Sequence, residues 1–339
     1  MKGMVINMSK PEEHKTSIGG QAVMEGVMMR GPHKTAVAVR KPDGEITMKI
    51  DENKIKKKSL FVKLPIVRGC VNFFSSLVIG VKALMFSAEF VDIEGEEETE
   101  SKFEKWLDEK FGDKIKDIVI YFSIVLSVFL SIGLFIVLPT LISSGINSLC
   151  SGSLFPVPEA LTKAAESKVF YNVIEGIVKM VIFITYMALV SKMKEIKRVF
   201  EYHGAEHKTI ACYEAGEELT IENVKKHSRF HPRCGTNFLL FVIVISIIIF
   251  AFLPKFESNI LGIILRVLTR LILMPVVAGL SYEVIKLAGR SQNKCVCAFT
   301  KPGLWLQKFT TREPDGSQIE VAIESMKAVI PENKEDDLW

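Results

Sequence analysis

The chain has 339 residues, 48% of them hydrophobic, and a mean hydropathy of +0.26, which is too apolar for an ordinary soluble protein of this length. A formal net charge of +4, from 43 basic against 39 acidic residues, shows no excess that would mark a nucleic-acid partner, and none is expected. Six scattered cysteines, at 70, 150, 212, 234, 295 and 297, argue against a disulfide framework and fit a reduced compartment.

In chain order, MKGMVINMSKPEEHKTS lacks the apolar run of a secretory signal, so none is expected. The glycine-rich GGQAVMEGVMMRGP follows, carrying Glu25 and Arg30. Its glycines permit tight turns, so it could fold over the mouth of a site and present Glu25 to a metal or a substrate. A structural turn closed by a Glu25–Arg30 ion pair is the expectation set against that, and the pattern of a phosphate loop is absent. TAVAVRKPDGEITMKI, apolar on both sides of a Pro-Asp-Gly turn, predicts a β-hairpin of residues 35–41 and 45–50.

Four apolar runs, at 117–142, 170–191, 237–254 and 259–287, approach or reach the roughly 20 helical residues that a hydrocarbon core requires. A fifth, Val67 to Phe90, has Lys82 in its middle. Lys and Arg number fourteen up to residue 68 and nine in 192–236, but only two, Lys163 and Lys168, in 142–169. That alternation predicts four spans with both termini in the cytoplasm, and it makes Val67–Phe90 an interfacial or re-entrant helix.

The chain therefore divides into a cytoplasmic N-terminal segment with the hairpin (1–66), an interfacial helix and charged linker (67–116), two transmembrane helices (117–191), a cytoplasmic loop (192–236), two further transmembrane helices (237–287) and a cytoplasmic tail (288–339). The linker, 92–116, is read as solvated at first and then as a surface helix. EPDGSQIEVAIESMKAVIP in the tail predicts a turn, a helix of about twelve residues and a proline stop. Within the spans, Glu175 pairing with an arginine, Arg266 or Arg270, is the economical reading of charges that are costly in hydrocarbon; a path for a polar substrate is the sharper alternative. Cys295 and Cys297 form a CxC with nothing beside it to support metal or redox chemistry, so inert thiols are expected.

The chemistry concentrates in YHGAEHKTIACYEAG, residues 202–216. On a helix, His203, Glu206 and His207 fall at about 0°, −60° and +40° round the axis, on one face. Two imidazoles one turn apart can chelate a metal, the adjacent glutamate can activate water, and HxxEH is the inverted zinc-protease signature. The bland alternative is a solvated polar helix. A third ligand is sought from His231 and Cys234 in HSRFHPRCGTN. Glu214, about 10 Å along the helix from His207, and Glu283, at the inner end of the last span, are further candidates. His227 is read as a surface or core residue.

IGGQAVMEGVMMRGP, YHGAEHKTI, HPRCGTNF, PVVAGLSYE and PGLWLQKFTTREPD, in that order over nearly the whole chain, resemble the YqhQ-like family of bacterial membrane proteins. That family is a domain of unknown function (1385) described as metal-dependent enzymes by prediction. The resemblance implies that His203, Glu206, His207, His231 and Cys234 are signature positions, as are Glu25 and Arg30.

The expected fold is mainly α and polytopic: about four transmembrane helices, an interfacial helix, a small cytoplasmic β-hairpin element and a cytoplasmic helical loop. The expected function is a zinc-type, metal-dependent hydrolase of the bacterial plasma membrane. Glu206 would be the catalytic base and His203, His207, His231 and Cys234 the metal set. A non-enzymatic scaffold with a closed structural metal site is the alternative, as is a transport role, for which a homo-oligomer would supply further helices. Beyond the lipid bilayer no partner is indicated.

Overall fold

The computed structural model describes residues 15–53, 64–90, 114–152, 156–254, 256, 260–290 and 294–337. The chain divides into two compact units, one of residues 1–91, 187–241 and 278–339, the other of 92–186 and 242–277.

The first unit is built on an antiparallel sheet of four strands in sequence order: β1 (Gly19–Val23), β2 (Gly26–Arg30), β3 (Lys34–Arg40) and β4 (Ile46–Glu52). The predicted hairpin is β3–β4, with Ala36 opposite Ile50 and Ala38 opposite Met48. The glycine-rich segment, expected as a turn, forms a second hairpin around it, β1–β2. Its two-residue turn is Met24–Glu25, with Glu25 at φ +49°. The turn reading left out the flanking strands, in which Gln21–Val23 and Val27–Met29 alternate between the two faces of the sheet, as strand residues do.

Both faces of this sheet are covered. Val27, Met29, Ala36 and Ala38 pack in one cluster with Tyr202, Ala205 and Ile210, and with Ile319, Ala322, Ile323 and Met326. The former group lies on α6 (Lys194–Glu214), which the short α7 (Ile221–Lys226) follows, and the latter on α11 (Gly316–Lys327). The 319, 322, 323, 326 spacing is the apolar stripe of an amphipathic helix, and the predicted tail helix is present. It opens on a capping box in which Asp315 and Gln318 exchange side-chain to backbone hydrogen bonds. On the opposite face, Val23, Met28, Val37 and Val39 pack with Ala83 of α1 (Pro65–Ala88), where Ile79, Leu84 and Phe86 lie beside it. Nearer its start, α1 is tied to Glu283 through Arg68, with one Arg68 N–H to carboxylate distance of 2.6 Å, and to Tyr282 through Asn72 at 2.9 Å.

The second unit contains α2 (Lys114–Ile132), a π turn at Gly133–Val137, α3 (Leu138–Cys150), α4 (Glu159–Glu166) and most of α5 (Lys168–Val190). It also holds parts of α8 (Gly235–Ala251) and α9 (Ile260–Arg290). The π turn precedes Pro139, whose missing N–H cannot serve the carbonyl one turn earlier. The expected structural ion pair is here: both terminal guanidinium nitrogens of Arg270 bond the Glu175 carboxylate, and Thr140 Oγ1 bonds Glu175 at 2.9 Å. Arg266 donates to the Tyr171 hydroxyl.

Four helices are long and apolar enough to cross a membrane: Pro65–Ala88, Val125–Cys150, Lys168–Val190 and Leu261–Leu287. The number agrees with expectation, and three of the four coincide with expected spans. Gly235–Ala251, expected as a span, has 17 residues, about 25 Å of helix, and the weaker fifth candidate is a 24-residue apolar helix. The charged stretch from 92 to 113 and the side chains of Cys295 and Cys297 lie outside the described residues.

Candidate metal centre

The HxxEH helix is no solvated surface element. Residues 204–210 of α6 are all buried, with Glu206 4% and His207 1% exposed. Gly204 explains how it packs so closely: a Cβ there would sit 2.0 Å from the carbonyl oxygen of Arg312, so α6 can lie against that segment only where there is no side chain. Gly20 of β1 plays a similar part at the carboxylate, since its added Cβ would be 2.8 Å from Glu206 Cγ.

Each histidine of the motif is oriented from behind by a backbone carbonyl. His203 Nδ1 lies 2.8 Å from the oxygen of Thr310 and His207 Nδ1 lies 2.6 Å from that of Arg229. A carbonyl only accepts, so both Nδ1 atoms carry a proton, which leaves Nε2 as the ring atom each histidine can offer to a metal once deprotonated. The third donor is Cys234, whose sulfur is 3.3 Å from His203 Nε2. Donor atoms of His203, His207 and Cys234 all lie within 4.8 Å of one another. Tetrahedral zinc separates nitrogen and sulfur donors by about 3.3–3.8 Å, so this cluster fits with small adjustments.

Glu206 completes the group. The Gly20 amide bonds its carboxylate, yet Oε2 is buried with no hydrogen-bond partner and stands 3.9 Å from His203 Nε2. An orphaned carboxylate oxygen beside three ligand atoms is the chemistry expected where a cation or its water belongs. Burial raises the Glu206 pKa, against the pull of His207 and His203. Burial also opposes charge on Cys234 and His203, but the imidazoles hold the thiol well below its ordinary value, and the thiolate lifts His203 to about 9.

The other candidates are placed elsewhere. The ring of His231 stacks 5.6 Å from that of His207, but its Nε2 faces Glu214 at 3.5 Å. Glu214 is shared with Arg233. Glu283 is held by Arg68, as described. Glu25 turns away to Arg198, with one contact of 2.6 Å, and to the Tyr202 hydroxyl at 3.2 Å, so the expected Glu25–Arg30 pair does not form. His227 meets Glu217 at 3.2 Å near Cys212. Cys212, Glu217 and His227 form a second group of three possible donors, of which Glu217 is exposed, and burial pushes the Cys212 thiol up to about 11.

Sequence reasoning missed Gln307. This residue of α10 (Lys294–Thr310) grips the backbone of His231 in both directions, accepting from its N–H at 2.9 Å and donating to its carbonyl at 2.7 Å. It stands in PGLWLQKFTTREPD together with Thr310, a block with no charged or nucleophilic pattern to suggest that role. A cavity of about 1020 Å³ opens onto His203, Glu206, His207 and Cys234, and extends to Arg30 of β2, Asn72 of α1 and Tyr282.

Fold and cluster together define a mostly helical protein with apolar helices compatible with a membrane and a small sheet-centred unit carrying a His-His-Cys group. The chain belongs to the family described as "Protein of unknown function (DUF1385)", which it matches over residues 64–332. It is 35% identical over 323 residues, 94% of each chain, to the "Uncharacterized protein YqhQ" of Bacillus subtilis (strain 168). No solved structure matches it.

Proposed function

We propose that this protein is a membrane-anchored, metal-dependent hydrolase of the zinc type, with its site on the cytoplasmic side of the bacterial plasma membrane. The observation that carries the reading is the gathering of one donor atom each from His203, His207 and Cys234 beside a Glu206 carboxylate oxygen that has no partner. His203, His207 and Cys234 would hold the cation, which would supply a Lewis acid. Glu206, its pKa raised by burial, would take the proton from the attacking water and return it to the leaving group. The carbonyls of Thr310 and Arg229 hold the imidazoles in the tautomer that binding needs. Lysine and arginine counts in the flanking loops support the cytoplasmic side.

The alternative scaffold with a closed structural site needs a fourth protein ligand. His231, the residue expected to supply it, is engaged with Glu214 instead, which favours an open position. The test is elemental analysis of detergent-purified wild type beside His207→Ala, with the hydrolysis of peptide and ester probes followed in the same preparations. Near-stoichiometric zinc in the wild type alone, and turnover lost with it, is the expected result. Zinc in neither preparation ends the proposal.

A further inference from the structure

The cavity that reaches the His-His-Cys cluster has a second, cationic wall. Among the described residues, eight arginine side chains have a hydrogen-bond acceptor: Arg40 with Glu320, Arg68 with Glu283, Arg198 with Glu25, Arg229 with Thr311, Arg233 with Glu214, Arg266 with Tyr171, Arg270 with Glu175 and Arg312 with Ser191. Among the arginines whose side chains are described, Arg30 is the exception. It lines the cavity, is half-buried, and has no carboxylate and no hydrogen-bond acceptor among the described residues. Burial lowers its pKa, and the charge neighbour acting the other way is the phenol of Tyr282. A half-buried guanidinium without an acceptor is a site for a ligand oxyanion, which its planar fork binds in bidentate fashion.

The neighbouring wall indicates where that oxyanion comes from. Asn72, Ser76 and Ile79 of α1 face the cavity, and on a helical wheel they cluster within about 60°. Phe74, Val78, Val81 and Met85 of the same helix are exposed and lie about 200° round from that cluster. One helix thus separates the cavity from an outward apolar stripe. In a chain with four helices long and apolar enough to cross a membrane, such a stripe matches the acyl region of a lipid layer, and the anion bordering that region is the phosphate of the headgroup layer.

We infer that Arg30 is the anion-binding residue of the cavity and that the substrate is a phosphate-bearing amphiphile, its phosphate held at Arg30 while the bond to be cleaved lies at the His-His-Cys end. This rests on the hydrolase reading for the cleavage step, but the binding itself is independent of any metal. The volume of about 1020 Å³ accommodates a headgroup of drug-like size.

The test measures binding of dihexanoyl phosphatidate, dihexanoylglycerol and inorganic phosphate to the full chain in a phosphate-free maltoside detergent, with zinc content read on the same samples. Phosphatidate is expected to bind and the phosphate-free glyceride not to bind. Arg30→Gln should weaken phosphatidate binding tenfold or more, Arg30→Lys should restore part of it, and zinc content should be unchanged in both. Inorganic phosphate binding as tightly as phosphatidate, and lost in Arg30→Gln, keeps the subsite and assigns a soluble phosphate ester instead. Wild type that binds neither phosphate compound, or Arg30→Gln that binds as wild type does, overturns the inference. Zinc-free wild type that still binds phosphatidate through Arg30 would sink the hydrolase reading alone.

Discussion

Nε2 of His203 and the sulfur of Cys234 lie 3.3 Å apart across a sequence separation of 31 residues, at a distance that suits either a hydrogen bond or a shared cation. Zinc bound there should be near one per chain in protein purified in detergent. Cys234→Ser and His207→Ala should each abolish it, whereas His231→Ala should keep it, since the His231 Nε2 faces Glu214. Elemental analysis of the four proteins decides this, and loss of metal in His231→Ala would restore the closed four-ligand site.

Glu206→Gln separates binding from chemistry. The carboxylate has an unpartnered oxygen beside the ligands but is not needed to complete the His-His-Cys set, so metal content should hold. Hydrolysis should fall by roughly 100-fold or more, the scale of a lost general base. Equal turnover in the variant and the wild type would leave the metal structural.

How far the sequence reveals this site depends on the residue type. HxxEH and HxxC are legible because histidine, glutamate and cysteine declare their chemistry and helical spacing declares their face; three of the four expected ligands do meet. The orienting groups are not legible, because the carbonyls of Thr310 and Arg229 belong to the backbone and any residue type could supply them. Gln307 is hidden for a related reason, since its clamp on His231 depends on a contact between residues 76 positions apart. The β1–β2 hairpin was masked by its glycines, which read as turn although Gly20 serves close approach to Glu206. Hydropathy finds apolar helices but not which of them cross. Val67–Phe90, read as interfacial, falls largely within a 24-residue apolar helix, whereas 237–254, read as a span, falls largely within a helix of 17 residues.

Gly204 lies inside the HxxEH motif for a packing reason. In Gly204→Ala the new Cβ would be 2.0 Å from the carbonyl oxygen of Arg312, a backbone atom that cannot swing away, so α6 must shift. A loss of about 1–3 kcal/mol is expected, together with weaker zinc binding, because His203 precedes the glycine and is aligned by Thr310 two residues before Arg312. Thermal melting and zinc titration of the variant would show both effects. A variant with full stability and full affinity would disprove the tight packing of α6.

Asp315 gives a pH dependence of defined sign. Burial works against its charge, but the Ser317 hydroxyl and the Gln318 and Ser317 amides outweigh that and hold its pKa below the ordinary value. A carboxylate depressed in the folded state contributes stability above its unfolded pKa of about 3.9 and loses it as pH falls through the folded value. Asp315→Ala should therefore cost about 1 kcal/mol at neutral pH. The gap to wild type should close below roughly pH 4, as followed by denaturant melts across pH. A gap that persists unchanged at pH 2 would show that the cap does not depend on the charge.

The Glu175–Arg270 pair distinguishes a structural role from a path for polar solutes. Both side chains are 3% exposed and joined through two nitrogens, and Thr140 also bonds the carboxylate. Removing one partner by Glu175→Ala leaves a buried guanidinium without its counter-charge, which should cost about 3–5 kcal/mol. Replacing both, in Glu175→Leu with Arg270→Met, removes the desolvation penalty along with the attraction and should return stability near to wild type or above it. Thermal unfolding in detergent of the single and double variants measures the difference. If the charges serve only to hold the fold, the double variant should also keep its zinc and its hydrolysis of probes. A stable double variant that keeps zinc but has lost turnover would mean that the pair acts on substrate, and the structural reading of these two charges would have to be given up.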